Sequence, residues 1–521
     1  METVTITKEK YAEYESQQAQ IAELTGQVQY LMEQLRLSKH RQFGVSSEKS
    51  EYDFSQLNLF NEAELFADAN TPEPELVEVE KHYRKRTRLT TDKLPNDLPV
   101  EIVEHKLPET EQFCPECDGA LHVMGKEVRR ELKLIPAKAV IVEHIKYVYA
   151  CRDCERDSYG VPIVKAPMDE PVIKGSFASP ESVAHIMTQK FVMGVPLYRQ
   201  EQEWKRQGIL LSRQTMSNWL LRCSEDFLEP VYGALKELML EHSLALHADE
   251  TTLQVIQEPG KTAQSKSYMW LYRTSGYNRH GYEISSPIVL CEYQPDRKAL
   301  RPREFLAGWK GYLHTDGYAG YHSLPEEIVI VGCWAHARRK FDEALKGMPE
   351  KDRGDSGALI GKRYCDRLFA IEQELCGLSP GDRYLKRQEQ SKPVLDELRS
   401  WLEKQRLVKN AFGRAVQYTL DQWKYLERYL LDGQLEISNN RAERSIKPFV
   451  IDRKNFLFAN TPRGARASAV IFSVIETAKE NGIDPYTYLT FIFKNAPNWD
   501  LRSPDCLDRL MPYNFKPAAV T

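Results

Sequence analysis

Apolar positions along this chain change period several times, and each change marks an element. Between residues 14 and 38, Ile21, Leu24, Val28, Leu31 and Leu35 recur at alternating spacings of three and four, the seam of a short coiled coil. An amphipathic helix docked on its own protein would show the same seam. From Asn61 to Glu80 the periodicity gives way to an acidic, proline-containing stretch (Thr71-Pro-Glu-Pro-Glu75) that reads as linker. Two β-like runs follow, Arg130 to Ile135 and Val140 to Tyr149, joined at Pro136. Residues 180 to 225 then read as three helices. Ser179-Pro180 opens the first, Val195-Pro196 the second, Gly208 closes the second, and Ser212 caps the third.

Next the period shortens to that of strands. In Leu244-Ala-Leu-His-Ala-Asp249-Glu250-Thr251, Leu246 and Ala248 point one way, and His247 and Asp249 the other. The same alternation turns Glu250 away from Asp249. Strand-like runs at Ser267 to Arg273 and Ile284 to Tyr293 come next, then a short helix over Arg303 to Trp309. A fourth strand ends at Asp316-Gly317, and a fifth covers Ile328 to Cys333. Three meandering strands, a crossover helix and a fourth strand describe the start of a ribonuclease-H-like domain. There the ends of the first and fourth strands are neighbours, so Asp249 and Asp316 share one cleft. Residues 342–435 break the rhythm: Leu395/Leu398/Leu402 and Leu420/Trp423/Leu426/Leu430 have helical spacing without β signals, an all-helical insertion. Ala467 to Asn481, stopped by Gly482, and Pro485 to Lys494 read as closing helices.

The expected fold class is thus multidomain α/β. It comprises a coiled coil (1–45), an acidic then basic linker (46–100), a zinc-ribbon-like module (101–170) and a helix-turn-helix-like helical domain (171–230). A ribonuclease-H-like core follows in two parts (231–341 and 436–482), split by the all-α insertion (342–435) and closed by a helical tail (483–521). At 521 residues the chain exceeds what one core supports, and about three or four domains are expected. The first residues lack an apolar signal core and no apolar run approaches a membrane span, so a cytoplasmic protein with no membrane partner is expected. Net charge is −4, so any nucleic-acid footprint must be local.

Cysteine usage adds a metal. Cys114-Pro-Glu-Cys117 and Cys151-Arg-Asp-Cys154 are two pairs whose thiolates can each wrap one side of a structural Zn²⁺; redox pairs are the alternative. A β-hairpin carrying both knuckles accounts for the 33 residues between them. Local positive charge points to DNA. Lys81 to Arg88 is either a phosphate-contacting arm or solvated chain. The third predicted helix presents Arg213, Gln214, Ser217 and Asn218, suited to phosphates and base edges if the unit is a helix-turn-helix; a purely structural three-helix unit is the other reading. From Arg441 to Arg466, seven basic residues (Arg441, Arg444, Lys447, Arg453, Lys454, Arg463, Arg466) face only Glu443 and Asp452, where the DNA backbone is expected to run.

Asp249 and Asp316 gain a third acidic candidate in Glu443, 127 positions after Asp316. Three converging carboxylates offer hard oxygen ligands for two divalent ions, Mg²⁺ or Mn²⁺, that support in-line displacement at phosphorus. A local reading competes: Asn440 as N-cap with Glu443 at the third helical position is a near capping box. Pro448 is expected to end or kink that helix after two turns.

Four motifs in order, His247-Ala-Asp-Glu-Thr251, Thr315-Asp-Gly-Tyr-Ala-Gly-Tyr321, Cys333-Trp-Ala-His-Ala-Arg-Arg-Lys-Phe341 and Ser438-Asn-Asn-Arg-Ala-Glu-Arg444, resemble the IS-sixty-six (IS66) family of bacterial insertion-sequence transposases, in particular its large TnpC-type members. The resemblance covers nearly the whole chain. It implies a DDE transposase with Asp249, Asp316 and Glu443 as the metal-binding triad, and terminal inverted repeats as DNA substrate. It further implies two small accessory proteins from the same element as partners. Holding two transposon ends together calls for a dimer or larger assembly, with the zipper as a dimer contact. Arg338, Arg339 and Lys340 of the third motif are added to the expected DNA contacts. Trp334 is expected to pack at the strand end, and His336 is a secondary candidate for touching substrate. A nuclease of the same fold that does not join strands, and a DNA-binding regulator with an inactive core, are the rival readings.

Overall fold

The middle of one long strand, pinned beneath a helix that arrives almost two hundred residues later, sets the architecture. The computed structural model describes residues 8–43, 139–150, 163–278, 280, 286–406 and 409–516. The chain divides into two units, residues 46–166 and the remainder (1–45 with 167–521). In the smaller unit β1 (Val148–Ala150) pairs antiparallel with β2 (Ile163–Lys165). Of the two runs expected to form a hairpin, Val140 to Tyr149 is strand only from Val148, residues 139–147 form no strand, and the strand that pairs with β1 lies beyond the second cysteine pair. Residues 130–138 and all four Cys-x-x-Cys cysteines lie outside the described residues.

The larger unit opens with α1 (Lys8–Phe43), longer than the heptad seam alone predicts. Ile21, Leu24, Val28, Leu31 and Leu35 are each more than half exposed. The helix touches its own protein through other residues: the Glu33 carboxylate accepts from the Ala411 N–H (2.8 Å) and Arg36 reaches the Gly347 carbonyl. The apolar seam is left uncovered. Three helices, α2 (Pro180–Phe191), α3 (Leu197–Arg206) and α4 (Arg213–Cys223), then form where the caps predict. Ser179 and Ser182 make a reciprocal capping box, the Ser212 hydroxyl accepts from Thr215 N, and Gly208 takes a left-handed φ of +80° after α3. α5 (Glu229–His242) leads to the sheet.

Five strands follow: β3 (Ala245–Gln254), β4 (Lys266–Thr274), β5 (Val289–Gln294), β6 (Gly311–His314) and β7 (Ile328–Val331). Their spatial order is β5-β4-β3-β6-β7, with the first three antiparallel and β3, β6 and β7 parallel. β3 runs several residues past Asp249 and pairs with β4 through Gln254. The Thr251-Thr252-Leu253 run favours this extension, so Asp249 sits within the strand rather than at its end. The helix expected at 303–309 forms earlier, over Leu300–Phe305, and closes at Gly308 (φ +79°).

The described residues of the insertion hold helices and turns but no strand: α6 (Trp334–Lys346) runs in from the core, and α7 (Gly357–Glu374), α8 (Lys392–Glu403) and α9 (Ala411–Asp421) are its longer members. Leu395, Leu398 and Leu402 are buried, as their spacing predicts. Leu420 to Leu430 is not one helix; α9 stops at Asp421 and a short helix and a 3-10 turn follow. The chain then returns as α10 (Asn440–Phe456), α11 (Pro462–Glu480) and α12 (Pro485–Asn495). α10 passes straight through Pro448 instead of ending there. The buried stripe Ala442, Ser445, Ile446, Phe449 and Asp452 supplies packing on both sides of the proline, against the loss of one backbone hydrogen bond.

Two cores flank β3. Leu246 and Ala248 join α2, α4, α5, α11 and α12 in the larger one, whereas Ala245 joins Trp334 and the insertion helices in the other. The three-helix unit thus shares a core with the sheet and the closing helices. The insertion is held by a buried ion pair: fully buried Arg387 meets the Glu372 carboxylate (2.6 Å) and donates to the carbonyls of Tyr429, Asp432 and Leu435. Removing Arg387 leaves the three carbonyls without their donor and Glu372 with Arg383 (3.1 Å) as its remaining cation. Arg387→Ala is therefore expected to cost about 3–5 kcal/mol, measurable as a lowered denaturant midpoint of unfolding.

Candidate active site

Backbone register places the first two acids. Parallel β3 and β6 pair as far as His247 and His314, and Asp249 and Asp316 each follow two residues later. The two histidines stack at 4.4 Å between centroids and are fully buried. Burial drives both imidazoles toward the neutral form, aided at His247 by nearby Arg273 and Arg441 and at His314 by His247. Above this neutral platform Asp249 Oδ1 accepts from Glu250 N (2.8 Å), and Asp316 Oδ1 accepts from Tyr318 N (2.9 Å) in an Asx turn. Burial, then Glu250, Asp316 and Glu443, push the Asp249 carboxyl well above the usual carboxylate range. Glu250 faces away, as alternation predicts: its carboxylate accepts from Arg297 Nε (2.7 Å) and Tyr321 Oη (2.5 Å). Arg297 in turn stacks on Tyr318, 3.7 Å above the ring centroid.

The third acid arrives on the first turn of α10. Asn439, not Asn440, is the N-cap, and its side chain makes no capping bond. It reaches across to the sheet instead, accepting from His247 Nδ1 (3.0 Å) and donating to the Ala248 carbonyl (2.8 Å). The Asn439 N–H donates to Cys333 Sγ (3.1 Å). Glu443 is likewise not spent on a capping box. Its Oε2 accepts from Arg339 (3.2 Å) and its Oε1 lies 3.6 Å from His336 Nδ1. Neither Glu443 Oε1 nor His336 Nδ1, though buried, has a hydrogen-bond partner. Burial lowers the His336 pKa, with Glu443 opposing that shift.

Asp249, Asp316 and Glu443 are thus brought into one electrostatic neighbourhood. The residues suit hard divalent cations: burial and then the neighbouring carboxylates raise the Asp249 carboxyl, and one Glu443 oxygen is left without a donor. Asn439, Cys333 and Arg297 escaped residue-level reasoning. Asn439 and Cys333 stood inside quoted motifs but without a role; nothing in the sequence singles out Arg297.

The expected DNA contacts divide sharply. Arg213, Gln214 and Asn218 are exposed on α4, with Met216, Trp219 and Leu220 turned into the core. Asn218 also lines a cleft of about 370 Å³ with Lys174, Arg222 and Arg463. Arg444 and Lys454 are exposed on α10, and Lys447 is half-buried there. Others are engaged internally: Arg338 pairs with Asp366, Arg339 with Glu443 and Arg441 with Glu436. Arg453 donates to the Thr251 hydroxyl and to the Thr252 carbonyl and hydroxyl. Lys340 stands 5.9 Å from the Tyr418 ring centroid. Trp334 is fully buried, donates to the Leu426 carbonyl (2.9 Å) and packs edge-on to Trp423, as expected.

Among the described residues no helix is long and apolar enough to cross a membrane. Residues 175–467 match the family described as "Transposase IS66 family", and residues 473–513 match the "IS66 C-terminal element". Residues 111–155, which contain all four paired cysteines, match the "zinc-finger binding domain of transposase IS66", and residues 30–103 the "Transposase C of IS166 homeodomain". Among curated relatives, uncharacterized protein y4jD of Sinorhizobium fredii (strain NBRC 101917 / NGR234) is 31% identical over 438 residues, covering 81% of each chain. Uncharacterized protein y4qI of the same strain is 31% identical over 437 residues, covering 81% of this chain and 76% of its own. These families imply DNA as partner, a divalent metal in the central domain and zinc in the cysteine module. With its central match spanning more than half of its length, the chain belongs to the IS66 family of transposases.

Proposed function

We propose that the chain is a DDE transposase that binds the terminal inverted repeats of its element and carries out metal-dependent strand cleavage and strand transfer. The observation that supports this reading is that Asp316 and Glu443, from distant segments, both act on the Asp249 carboxyl, with Asp249 and Asp316 each two residues past the paired His247 and His314 of β3 and β6. The strand order supports a ribonuclease-H-like core. Asp249, Asp316 and Glu443 would hold two divalent ions, Mg²⁺ or Mn²⁺. When bound, such a pair activates the attacking oxygen and stabilises the leaving oxygen at phosphorus.

The chain's own groups orient the reaction. Asn439 fixes the helix that carries Glu443 against the strand that carries Asp249. Tyr318 N holds one Asp316 oxygen, and Arg297 holds Glu250 out of the cleft. Water is the first nucleophile and leaves a 3′-hydroxyl at the transposon end; that hydroxyl then attacks target DNA in the same cleft. Arg444, Lys447 and Lys454 grip phosphates, with Arg213, Gln214 and Asn218 of a helix-turn-helix-like α3–α4 pair reading the end. Two ends require at least a dimer, for which the uncovered α1 seam is a fitting contact between copies. Cys114, Cys117, Cys151 and Cys154 would hold a structural Zn²⁺, and two small proteins of the same element are proposed as accessory partners.

Asp249→Asn, Asp316→Asn and Glu443→Gln should each lower Mg²⁺-dependent cleavage of the element's ends at least about a thousandfold. Retained activity in Asp316→Asn would defeat the assignment, and failure to join pre-cleaved ends would reduce the protein to a nuclease. Asn439→Ala is expected to lose roughly 10–100-fold in rate with its metal ligands intact, read in the same assay. Arg213→Ala should weaken binding to the terminal repeat by about 1–3 kcal/mol and relax base preference. Arg444→Ala and Lys454→Ala should instead weaken all sequences alike and reduce the slope of log affinity against log salt by about one each.

A further inference from the structure

Beside the paired aspartates lies a donor set of different chemical character. Cys333 is the N-cap of α6, His336 sits on its first turn, and Glu443 reaches over from α10. One ligand atom from each lies within 4.8 Å of the other two, and His336 Nδ1 and Glu443 Oε1 are 3.6 Å apart. Metal bonds of about 2.0–2.3 Å at tetrahedral angles set ligand atoms roughly 3.3–3.8 Å apart, so the set needs to contract by at most about 1.5 Å.

Each donor is prepared for a cation. His336 Nδ1 and Glu443 Oε1 are buried and have spent their lone pairs on no hydrogen bond. Arg339 engages the other carboxylate oxygen, Oε2, which leaves Oε1 on the side of His336. The sulfur receives the Asn439 N–H and is reached by the N–H groups of Ala335 and His336, the environment that favours a thiolate at a helix start. Burial nevertheless pushes the thiol up to about 11, so its proton leaves to solvent when a cation displaces it. One sulfur, one imidazole nitrogen and one carboxylate oxygen suit a borderline transition ion rather than Mg²⁺.

We infer that Cys333, His336 and Glu443 form a second metal site, for Zn²⁺ or a similar ion, that shares Glu443 with the acidic triad. On the proposed function, which this consequence rests on, an ion held there withdraws Glu443 from Asp249 and Asp316. Zinc then opposes Mg²⁺-dependent cleavage.

The test uses the full-length protein as purified, with its bound zinc counted, titrated with Co²⁺ and followed by absorbance. One further equivalent is expected to carry a thiolate-to-cobalt charge-transfer band, which sets it apart from any ion the acidic triad takes up. Cys333→Ser should abolish the band, and His336→Ala should weaken uptake of that equivalent at least about tenfold. The half-buried His336 keeps the test decisive if the buried serine variant does not fold. No further equivalent, or equal uptake by His336→Ala, overturns the site. Added Zn²⁺ should also lower Mg²⁺-dependent cleavage at least about tenfold; full activity with the site loaded overturns the sharing of Glu443. Cobalt uptake is read without DNA, so a wild type with no cleavage activity would count against the transposase reading and leave the uptake result standing.

Discussion

Everything on α10 takes its place from the side chain of Asn439. Its amide nitrogen is committed to the Ala248 carbonyl and its amide oxygen to His247, while its backbone N–H is committed to the Cys333 sulfur. The pattern also fixes a tautomer: with the oxygen turned to His247, that ring must carry its proton on Nδ1. One residue therefore joins the strand of Asp249, the junction that follows β7 and the helix of Glu443. Two further ties hold the same helix along its length. Arg273 donates to Ser445 Oγ (2.6 Å) while pairing with Glu480, and Arg453 is bound to Thr252 of β3. Pro448 falls between these ties, which is why a residue that ordinarily breaks helices does not break this one.

The insertion is part of the same constraint. A detour of about a hundred residues between β7 and α10 could place the third acid anywhere, because loop closure adds little cost with length. Here the return path is clamped. Arg387 gathers the carbonyls of Tyr429, Asp432 and Leu435. Gly332 N donates to the Tyr425 carbonyl, and Trp334 N donates to the Ile437 carbonyl. A side chain added at Gly332 would meet the backbone of Tyr425 and Leu426 at 3.0–3.1 Å, so the approach there depends on the missing Cβ. The insertion thus acts as a caliper: its internal ion pair sets where residue 438 emerges, and Asn439 converts that position into a hydrogen-bonded one.

What was legible in the sequence follows from the range of each interaction. Ser179, Gly208 and Ser212 act on residues three or four positions away, and the helices they bound form as read. Alternation along β3 puts Asp249 and Glu250 on opposite faces for the same local reason. The capping box at Asn440 failed because a local pattern lost to a distant partner: the neighbouring Asn439 amide does better against His247, 192 positions earlier, than against its own helix. Arg441 and Arg453 looked like phosphate contacts by charge alone, but Glu436 and the Thr252 carbonyl claim them. A count of basic residues cannot distinguish an outward Arg444 from an inward Arg453, because that depends on which helical face the core takes.

Charge balance past the paired ends of β3 and β6 assigns unequal duties to the acids. Four carboxylates gather there, Asp249, Glu250, Asp316 and Glu443, and two guanidiniums answer them, Arg297 at Glu250 and Arg339 at Glu443. Glu250 has its own cation and a tyrosine hydroxyl, which oppose the upward push of burial and Asp316 on its carboxyl. Asp249 and Asp316 have only backbone N–H groups. Like charges in a buried cleft repel one another, and a single N–H returns only about 0.5–1.5 kcal/mol. Burial is the first cause of the upward push on Asp249, and the neighbouring carboxylates add to it. A fold built for stability alone would place a neutral residue there, as it does one step earlier with the stacked histidines. Keeping two uncompensated aspartates over a neutral platform makes sense when positive charge arrives from outside the chain, and the hard oxygen donors then select which cation it is.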